Sequence, residues 1–230
     1  MPRQEQPTKP TKTADAADAA ETPEQIRSRA LLVVAHPRTD SLTAQLAART
    51  RDRLVREGFE VDVLDLYEEG FDPRMTPEDE PDWADPEKSY SPEVRAHMRR
   101  IEEADALVVV FPLWWFGPPA ILKGWIDRVW NHGFAYGRSR PRPAGKRMVW
   151  ISLVSYTEEQ FTELGWDRVV ARTLREGISG FCGIEDASVH FVYDSLRAGE
   201  QALAAAASPA LDGLVPARGA SPGPLGGPRR

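Results

Sequence analysis

Short apolar runs alternate with helical patterns along the middle of this chain. The runs have the length and the β-branched composition of buried strands, and they cover residues 30–36, 59–66, 107–111, 147–155 and 187–193. Between them, apolar residues recur at helical spacing over 41–58, 92–103, 118–130, 158–178 and 195–206. Strands that alternate with helices predict an α/β fold with a doubly wound, five-stranded parallel sheet, most simply in the strand order 2-1-3-4-5.

The stretch at 105–137 organises the rest of the pattern. Its apolar strand runs from Leu107 to Phe111, and Pro112 ends it because proline has no backbone N–H donor. Large aromatic residues follow at the carboxyl end of this strand, where open α/β sheets bind their ligands. They indicate a flat, conjugated ligand; a core plug or a dimer interface is the alternative. Pro118 and Pro119 suit the first turn of the next helix.

The ends of the chain and one long loop differ in composition from this core. Residues 1–25 lack large apolar side chains and 207–230 are rich in Pro, Gly, Ala and Arg, so both are predicted to be disordered tails around a domain at 26–206. Residues 67–90 form an acidic, proline-punctuated loop of a length that is usually functional. We expect it to cover one edge of the active site or to contact a partner subunit.

Charge and cysteine content exclude several classes of protein. A net charge of −6 and an isoelectric point near 5.4 argue against nucleic-acid binding. A single cysteine, Cys182, excludes an internal disulfide and fits a reducing compartment. No run reaches membrane-spanning length, no secretion signal is visible and no Cys/His cluster indicates a metal. The sequence therefore predicts a soluble cytoplasmic protein with no membrane span.

The first strand ends at His36, and a helix begins close behind it. Ser41 and Thr43 lie at the start of that helix, whose free N–H groups and positive dipole end form a ready phosphate site. The alternative is that Asp40 or Ser41 only caps the helix. His36 has two possible roles: its side chain either pairs with the phosphate or only packs against its neighbours.

A second aromatic loop follows the third helix. It carries Tyr136 between two glycines, Gly133 and Gly137, and we expect it near the carboxyl edge of the sheet. The Tyr136 hydroxyl is a candidate hydrogen-bond donor to a bound carbonyl, with packing as the alternative. Lys123 and Asp127 sit four residues apart on the helix before it and are read as a solvated pair without a catalytic role.

Three of these motifs together resemble one family. HPRTDS at 36–41, FPLWWFGPPAILKGWIDRVW at 111–130 and GFAYG at 133–137 resemble the flavodoxin-like NAD(P)H:quinone oxidoreductases, and the resemblance covers about 30–195. That family includes diaphorase-type quinone reductases and ancillary subunits of potassium efflux systems. The resemblance implies a flavodoxin-like fold, a bound flavin (FAD or FMN), NAD(P)H as co-substrate, a quinone-like acceptor and a homodimer with active sites at the subunit interface.

Matching by position carries the family's site residues onto this chain. The positions around the flavin phosphates are His36, Ser41, Leu42 and Thr43. The loop under the isoalloxazine is matched by Pro112, Leu113, Trp114, Trp115 and Phe116. Tyr136 matches the tyrosine that faces the nicotinamide or the quinone, so it is the predicted catalytic residue.

The chain departs from the family after the fourth strand. Many relatives carry a glycine-containing turn there, whose bare backbone approaches the flavin ring, whereas this chain has Leu153, Val154, Ser155, Tyr156 and Thr157. We expect Ser155 and Tyr156 beside the flavin, with Tyr156 either stacking next to the ring or shaping the pocket.

The predicted activity is hydride transfer from NAD(P)H through a bound flavin to a quinone or another flat acceptor. Two alternatives belong to other classes. One is a one-electron flavodoxin-like carrier without a substrate pocket, and the other is a flavin-binding regulatory subunit that docks to a potassium efflux-type transporter through the acidic loop.

Overall fold

A single parallel sheet forms the centre of the fold. The computed structural model describes residues 27–197, 210–212 and 214. The sheet has the order β2-β1-β3-β4-β5, which confirms the predicted topology. The strands are β1 (Arg29–Val34), β2 (Glu60–Asp65), β3 (Ala106–Pro112), β4 (Arg147–Leu153) and β5 (Asp186–Val192).

Three of the described α-helices begin at a capping side chain, and the other two begin without one. They are α1 (Leu42–Arg56), α2 (Pro92–Glu103), α3 (Ala120–Val129), α4 (Glu158–Glu163) and α5 (Trp166–Arg172), followed by a π-helical turn at Thr173–Ser179 and a 3₁₀ turn at Gly180–Cys182. Ser91 caps α2, and Thr157 forms a capping box with Gln160 at α4. Gly165 takes a left-handed φ of 73° and separates α4 from α5, so the helical pattern at 158–178 is divided there.

The start of α3 differs from the prediction in one respect. Pro119 is the residue before the helix and has extended backbone angles, so α3 begins at Ala120. Pro118 and Pro119 therefore lead into the helix instead of forming its first turn. Pro112 is the last residue of β3 and pairs with Leu153.

Apolar clusters cover both faces of the sheet. One contains α2 and α3, and the other contains α1 together with Ala210, Leu211 and Leu214. These last three residues are buried, and the Arg147 guanidinium donates a hydrogen bond to the Leu214 carbonyl. The prediction of a disordered tail from 207 onward is therefore wrong for these residues, because their side chains complete the core beside α1.

Some predictions for the chain ends fall outside the described residues. These include the predicted N-terminal tail at 1–25 and most of the last helix, predicted at 195–206. Of that helix the structure describes residues 195–197, which form a turn. Within the part of the chain that the structure describes, no helix has the length and apolar character needed to cross a membrane.

Candidate active site

A groove opens at the carboxyl edge of the sheet, where β1, β3 and β4 end side by side. Its volume is about 280 Å³. The lining includes these predicted cofactor residues: His36, Ser41, Leu42, Thr43, Pro112, Leu113, Trp114 and Ser155. Because parallel strands present all their carboxyl ends at one edge, segments distant in the sequence meet here.

One end of the groove is the start of α1. Ser41 has extended backbone angles, and its Oγ accepts a hydrogen bond of 3.1 Å from the Ala44 N–H. The Leu42 and Thr43 N–H groups come before the first helical hydrogen bond and lack helical partners. Ser41 therefore caps the helix, while the two neighbouring N–H groups remain for an anion. The Arg38 side chain adds a positive charge to the same lining.

His36 stands between this helix start and the aromatic residues. Its Nδ1 accepts a hydrogen bond of 3.1 Å from the Arg38 N–H, which leaves the proton of the neutral ring on Nε2. Burial lowers the pKa of His36, so the ring is neutral at pH 7. Its ring lies 5.9 Å from that of Trp114 in an edge arrangement. His36 is thus both packed and able to donate from Nε2.

The aromatic loop after β3 is a tight, strained turn. Trp114 and Gly117 exchange two backbone hydrogen bonds of 3.1 Å. The residues between them, Trp115 and Phe116, have φ of 51° and 61°, a conformation that costs about 1–3 kcal/mol for each non-glycine residue. Trp115 is 96% exposed despite its apolar ring. The turn is locally destabilising, and it exposes aromatic surface and backbone at the mouth of the site, as binding loops do.

The loop after β4 adjoins this turn. Tyr156 lines a cavity of about 220 Å³ together with Trp115 and Phe116, next to the groove. The Asp194 N–H donates to the Tyr156 carbonyl at 2.8 Å, which ties the loop to the end of β5. Phe116 stacks on Trp166 with ring centroids 4.0 Å apart. Aromatic rings thus pack beside the loop after β4, where the family resemblance predicts a glycine-containing turn.

Tyr136 does not lie at this groove, and the prediction that it is near the carboxyl edge is wrong. α3 begins after β3 and carries the chain back toward the start of β4, over ten residues or about 15 Å. Tyr136 instead lines a separate cavity of about 280 Å³. The other lining residues are Trp83, Ile126, Asp127, Trp130, Gly177, Ile178, Phe181 and Cys182.

The Tyr136 hydroxyl is placed to act as a donor. No other described residue forms a hydrogen bond with it. Burial is the larger cause, and the nearby Cys182 the smaller cause, of a raised pKa of Tyr136. The phenol therefore keeps its proton at neutral pH. Burial also raises the pKa of Cys182 to about 12, which makes that thiol unreactive.

Glycines on either side of Tyr136 shape its loop. Gly133 has a φ of 78°, and a Cβ there would lie 2.0 Å from the Pro86 carbonyl oxygen. Gly137 has a φ of 82°, and a Cβ there would lie 2.2 Å from the His132 ring. Both positions need glycine for the conformation and for the close approach. The sequence spacing of these glycines therefore reflects the geometry that presents Tyr136.

The acidic loop at 67–90 is held against α2 and α3. Asp79 is fully buried and pairs with Arg128 at 2.7 Å, while both the N–H and the hydroxyl of Ser91 donate to its carboxylate. Burial alone would favour protonation, but these partners outweigh it and hold the pKa of Asp79 below its ordinary value. Asn131 donates to the Asp79 carbonyl. The loop lies beside Tyr136 and contributes no residue to the groove.

The groove fits a flavin nucleotide in its chemistry. Helix N–H groups and Arg38 suit a phosphate, and the exposed turn at 114–117 suits a flat ring. Sequence reasoning did not identify Arg38, Trp166, Trp83 and Phe181. An aromatic residue directly after the Gly165 break was a usable signal for Trp166, whereas no local pattern marked Phe181.

Comparison with known proteins gives this geometry a context. Residues 28–213 match the family model described as "Flavodoxin-like fold". The uncharacterized NAD(P)H oxidoreductase YcaK of Escherichia coli strain K12 is 48% identical over 168 residues, which cover 73% of this chain and 85% of that protein. The ribosyldihydronicotinamide dehydrogenase (quinone) of Pongo abelii is 32% identical over 179 residues, which cover 68% of this chain and 78% of that protein.

A solved structure shares the fold. It is that of general stress protein 14 from Treponema denticola in complex with FMN, with a TM-score of 0.60 and 21% identity. The match covers 80% of this chain and 95% of that chain.

Proposed function

The chain belongs to the flavodoxin-like family that contains NAD(P)H oxidoreductases, and from that premise we propose that it is a flavin-dependent NAD(P)H:quinone oxidoreductase. In this activity hydride passes from NAD(P)H by way of the bound flavin to a quinone or a similar flat acceptor. The single observation that carries the proposal is the groove in which the start of α1, the end of β3 and the loop after β4 meet.

Each part of the groove has a role in holding the cofactor. The Leu42 and Thr43 N–H groups, with the His36 Nε2–H and Arg38, bind the phosphates. The turn at 114–117 and the neighbouring Tyr156 hold the flat ring and exclude water from one side of it. The bound flavin, FAD or FMN, supplies the redox chemistry. The protein supplies orientation, because reacting atoms must be held about 3–3.5 Å apart.

Tyr136 is the proposed catalytic residue. Its hydroxyl, which has no hydrogen-bond partner among the described residues, donates a hydrogen bond to the acceptor carbonyl and stabilises the negative charge that develops on that oxygen. Because its pKa is raised, the phenol remains a donor at neutral pH. The surrounding apolar rings strengthen this interaction by lowering the local dielectric constant.

The proposed enzyme is a homodimer. In one chain the groove and the Tyr136 cavity lie toward opposite ends of α3, so Tyr136 cannot reach a ring held in its own groove. A second copy related by two-fold symmetry brings its Tyr136 to that groove, and the arrangement is repeated at the other site.

Purified protein tests the activity directly. We expect a bound flavin, identified by its mass after release by heat, and NADPH oxidation that depends on menadione. Since both substrates use one slot in turn, steady-state lines should be parallel. A purified protein that retains no flavin would overturn the proposal, and intersecting lines would contradict the shared slot.

The composite site has its own test. The groove variant Leu42→Pro, assayed at a flavin concentration well below its own dissociation constant, and the donor variant Tyr136→Phe are each expected to lose most of their activity. Mixed dimers contain one site with an intact groove and an intact Tyr136, so co-expression should restore activity. If the site lay within one chain, mixing would restore nothing.

Other partners and roles lead to different observations. A regulatory role at a potassium efflux-type transporter predicts that the protein co-purifies with the channel, through the exposed acidic part of the 67–90 loop. A one-electron carrier predicts no NADPH oxidation without a separate reductase. We place the enzyme in the cytoplasm, a proposal supported by a free, buried Cys182.

A further inference from the structure

The acidic loop exposes one large ring next to the proposed catalytic tyrosine. Trp83 is 70% exposed, and its ring lies 5.8 Å from that of Tyr136 and 5.3 Å from that of His132. Phe181 is 65% exposed, and its ring also lies near that of Tyr136, at 5.4 Å. Two exposed aromatic rings thus lie within 5.8 Å of a phenol whose hydroxyl has no hydrogen-bond partner among the described residues.

Trp83 is held in place although its loop has no regular structure. It lies four residues after Asp79, which is buried and paired with Arg128. Three residues after it, Pro86 approaches the backbone of Gly133, and its carbonyl accepts a hydrogen bond of 3.1 Å from Arg138. The two anchors position the short segment that carries Trp83, and its ring lines the cavity beside Tyr136.

We propose that Trp83 is a specificity-determining residue that forms, with Phe181, an aromatic clamp for the ring system of the acceptor. This inference rests on the proposed function and names the acceptor class: fused bicyclic quinones in preference to single-ring quinones. Electron-rich indole stacks favourably on an electron-poor quinone ring. A second fused ring extends past the Tyr136 hydroxyl and contacts the clamp, whereas a single ring held at that hydroxyl does not.

The cavity agrees with this assignment in size and chemistry. Its volume of about 280 Å³ is close to the lower limit of small-molecule pockets, and its floor is formed by Ile126, Trp130 and Ile178. The flavin-bearing groove of the second copy closes the remaining side in the proposed dimer. Among the lining residues in the described part of the chain, Asp127 is the one charged side chain, and it pairs with Lys123 at 2.6 Å. A neutral, flat ligand is therefore favoured over a charged one.

The test compares Trp83→Ala and Trp83→Phe with the wild-type holoenzyme. The probes are menadione, which has two fused rings, and 1,4-benzoquinone, which has one. We expect Trp83→Ala to lower kcat/KM for menadione about tenfold relative to benzoquinone, and Trp83→Phe to restore most of the preference. Flavin content, ferricyanide reduction and thermal stability should be unchanged. Met75→Ala, another exposed apolar residue of the same loop, is the matched control.

Calorimetric titration of menadione into the same holoproteins separates this inference from the proposed function. A dissociation constant for menadione that is about tenfold higher in Trp83→Ala than in wild type supports the clamp. It does so even if the protein shows no turnover with NADPH; that result would overturn the proposed function alone. An equal Kd in wild type and Trp83→Ala overturns the clamp. Equal losses with menadione, benzoquinone and ferricyanide would also overturn it, since they would show that Trp83 only supports the fold.

Discussion

The groove at the carboxyl edge and the Tyr136 cavity are built in different ways. Secondary-structure elements form the groove: three strand ends, the start of a capped helix and a tight turn. The Tyr136 cavity is built mainly from loops and short turns, and one buried ion pair anchors the loop at its rim. The groove is therefore a consequence of the sheet topology, whereas the cavity depends on individual side-chain contacts between distant segments.

This difference determines how each region responds to substitution. Changes in the groove should alter cofactor binding with little effect on stability, because the sheet and α1 persist without the ligand. Changes at the anchor of the cavity should reduce stability and displace several rings together. The following predictions test this contrast, beginning with the largest expected effect.

Asp79→Ala should have the largest effect, because it leaves the buried Arg128 guanidinium with Glu93, at 2.9 Å, as its remaining carboxylate partner among the described residues. We expect a loss of about 3 kcal/mol in the free energy of unfolding, measured by urea denaturation, because Glu93 still compensates part of the Arg128 charge. Glu78→Ala, an exposed carboxylate of the same loop, is the control and should change stability by less than about 0.5 kcal/mol. Flavin affinity of the folded protein should stay unchanged, and its loss would contradict the independence of the two regions.

The same anchor predicts a pH dependence. The pKa of Asp79 lies below its ordinary value of 3.8, so its contribution to stability is complete above that value. The contribution is lost as the pH falls toward the lower pKa of the folded state. Wild type and Asp79→Ala should therefore differ in stability by a constant amount from pH 7 down to about pH 4 and converge below it. A difference in stability between wild type and Asp79→Ala that already decreases at about pH 6 would contradict the lowered pKa of Asp79.

Tyr136→Phe should lower kcat with a quinone acceptor about 100-fold by removing the donor to the developing oxyanion. The hydroxyl has no hydrogen bond to another described residue, so stability should change little. Stopped-flow kinetics of the quinone half-reaction measure the effect, and flavin content is the control. An unchanged quinone rate would remove Tyr136 from the catalytic site.

Leu42→Pro removes one of the two free N–H groups at the start of α1 and should weaken flavin binding about tenfold. Proline is favoured at the first helical position, and the extended Ser41 before it is compatible with proline. Leu42→Ala controls for the lost side chain and should bind flavin more tightly than Leu42→Pro. Fluorescence titration of the apoprotein measures both, and equal affinities would exclude the phosphate role of that N–H.

Tyr156→Ala should have the smallest effect, a few-fold weaker flavin binding, since an aromatic contact contributes about 0.5–1.5 kcal/mol beyond its buried area. Tyr156 is 36% exposed and lies 6.2 Å from Phe116 between ring centroids. The matched change Tyr67→Ala, at an exposed tyrosine outside both cavities, should leave the dissociation constant unchanged. An unchanged constant in Tyr156→Ala would show that the loop after β4 does not contact the flavin.

The groove was largely predictable from the sequence, and the Tyr136 cavity was not. His36, Ser41 and Leu113 each follow a strand or start a helix, and local patterns locate such positions reliably. The catalytic role of Tyr136 came from the family resemblance and stays a prediction, whereas its position was predicted at the wrong edge of the sheet. Trp83 belongs to another loop, and the buried Asp79–Arg128 ion pair holds that loop next to Tyr136. No periodic pattern in the sequence indicates this ion pair.

By itself the sequence determined the strand order, the capped start of α1 and the set of residues at the carboxyl edge. It could do so because apolar periodicity sets the elements, and parallel strands joined by helices bring their ends to a common edge. Tertiary structure alone decided that Tyr136 lies in a cavity separate from the groove and that the Trp83 ring lies next to it. It also decided that the core is completed by Ala210, Leu211 and Leu214. These outcomes depend on packing and ion pairing between segments far apart in the chain, and such contacts leave no local signal in the sequence.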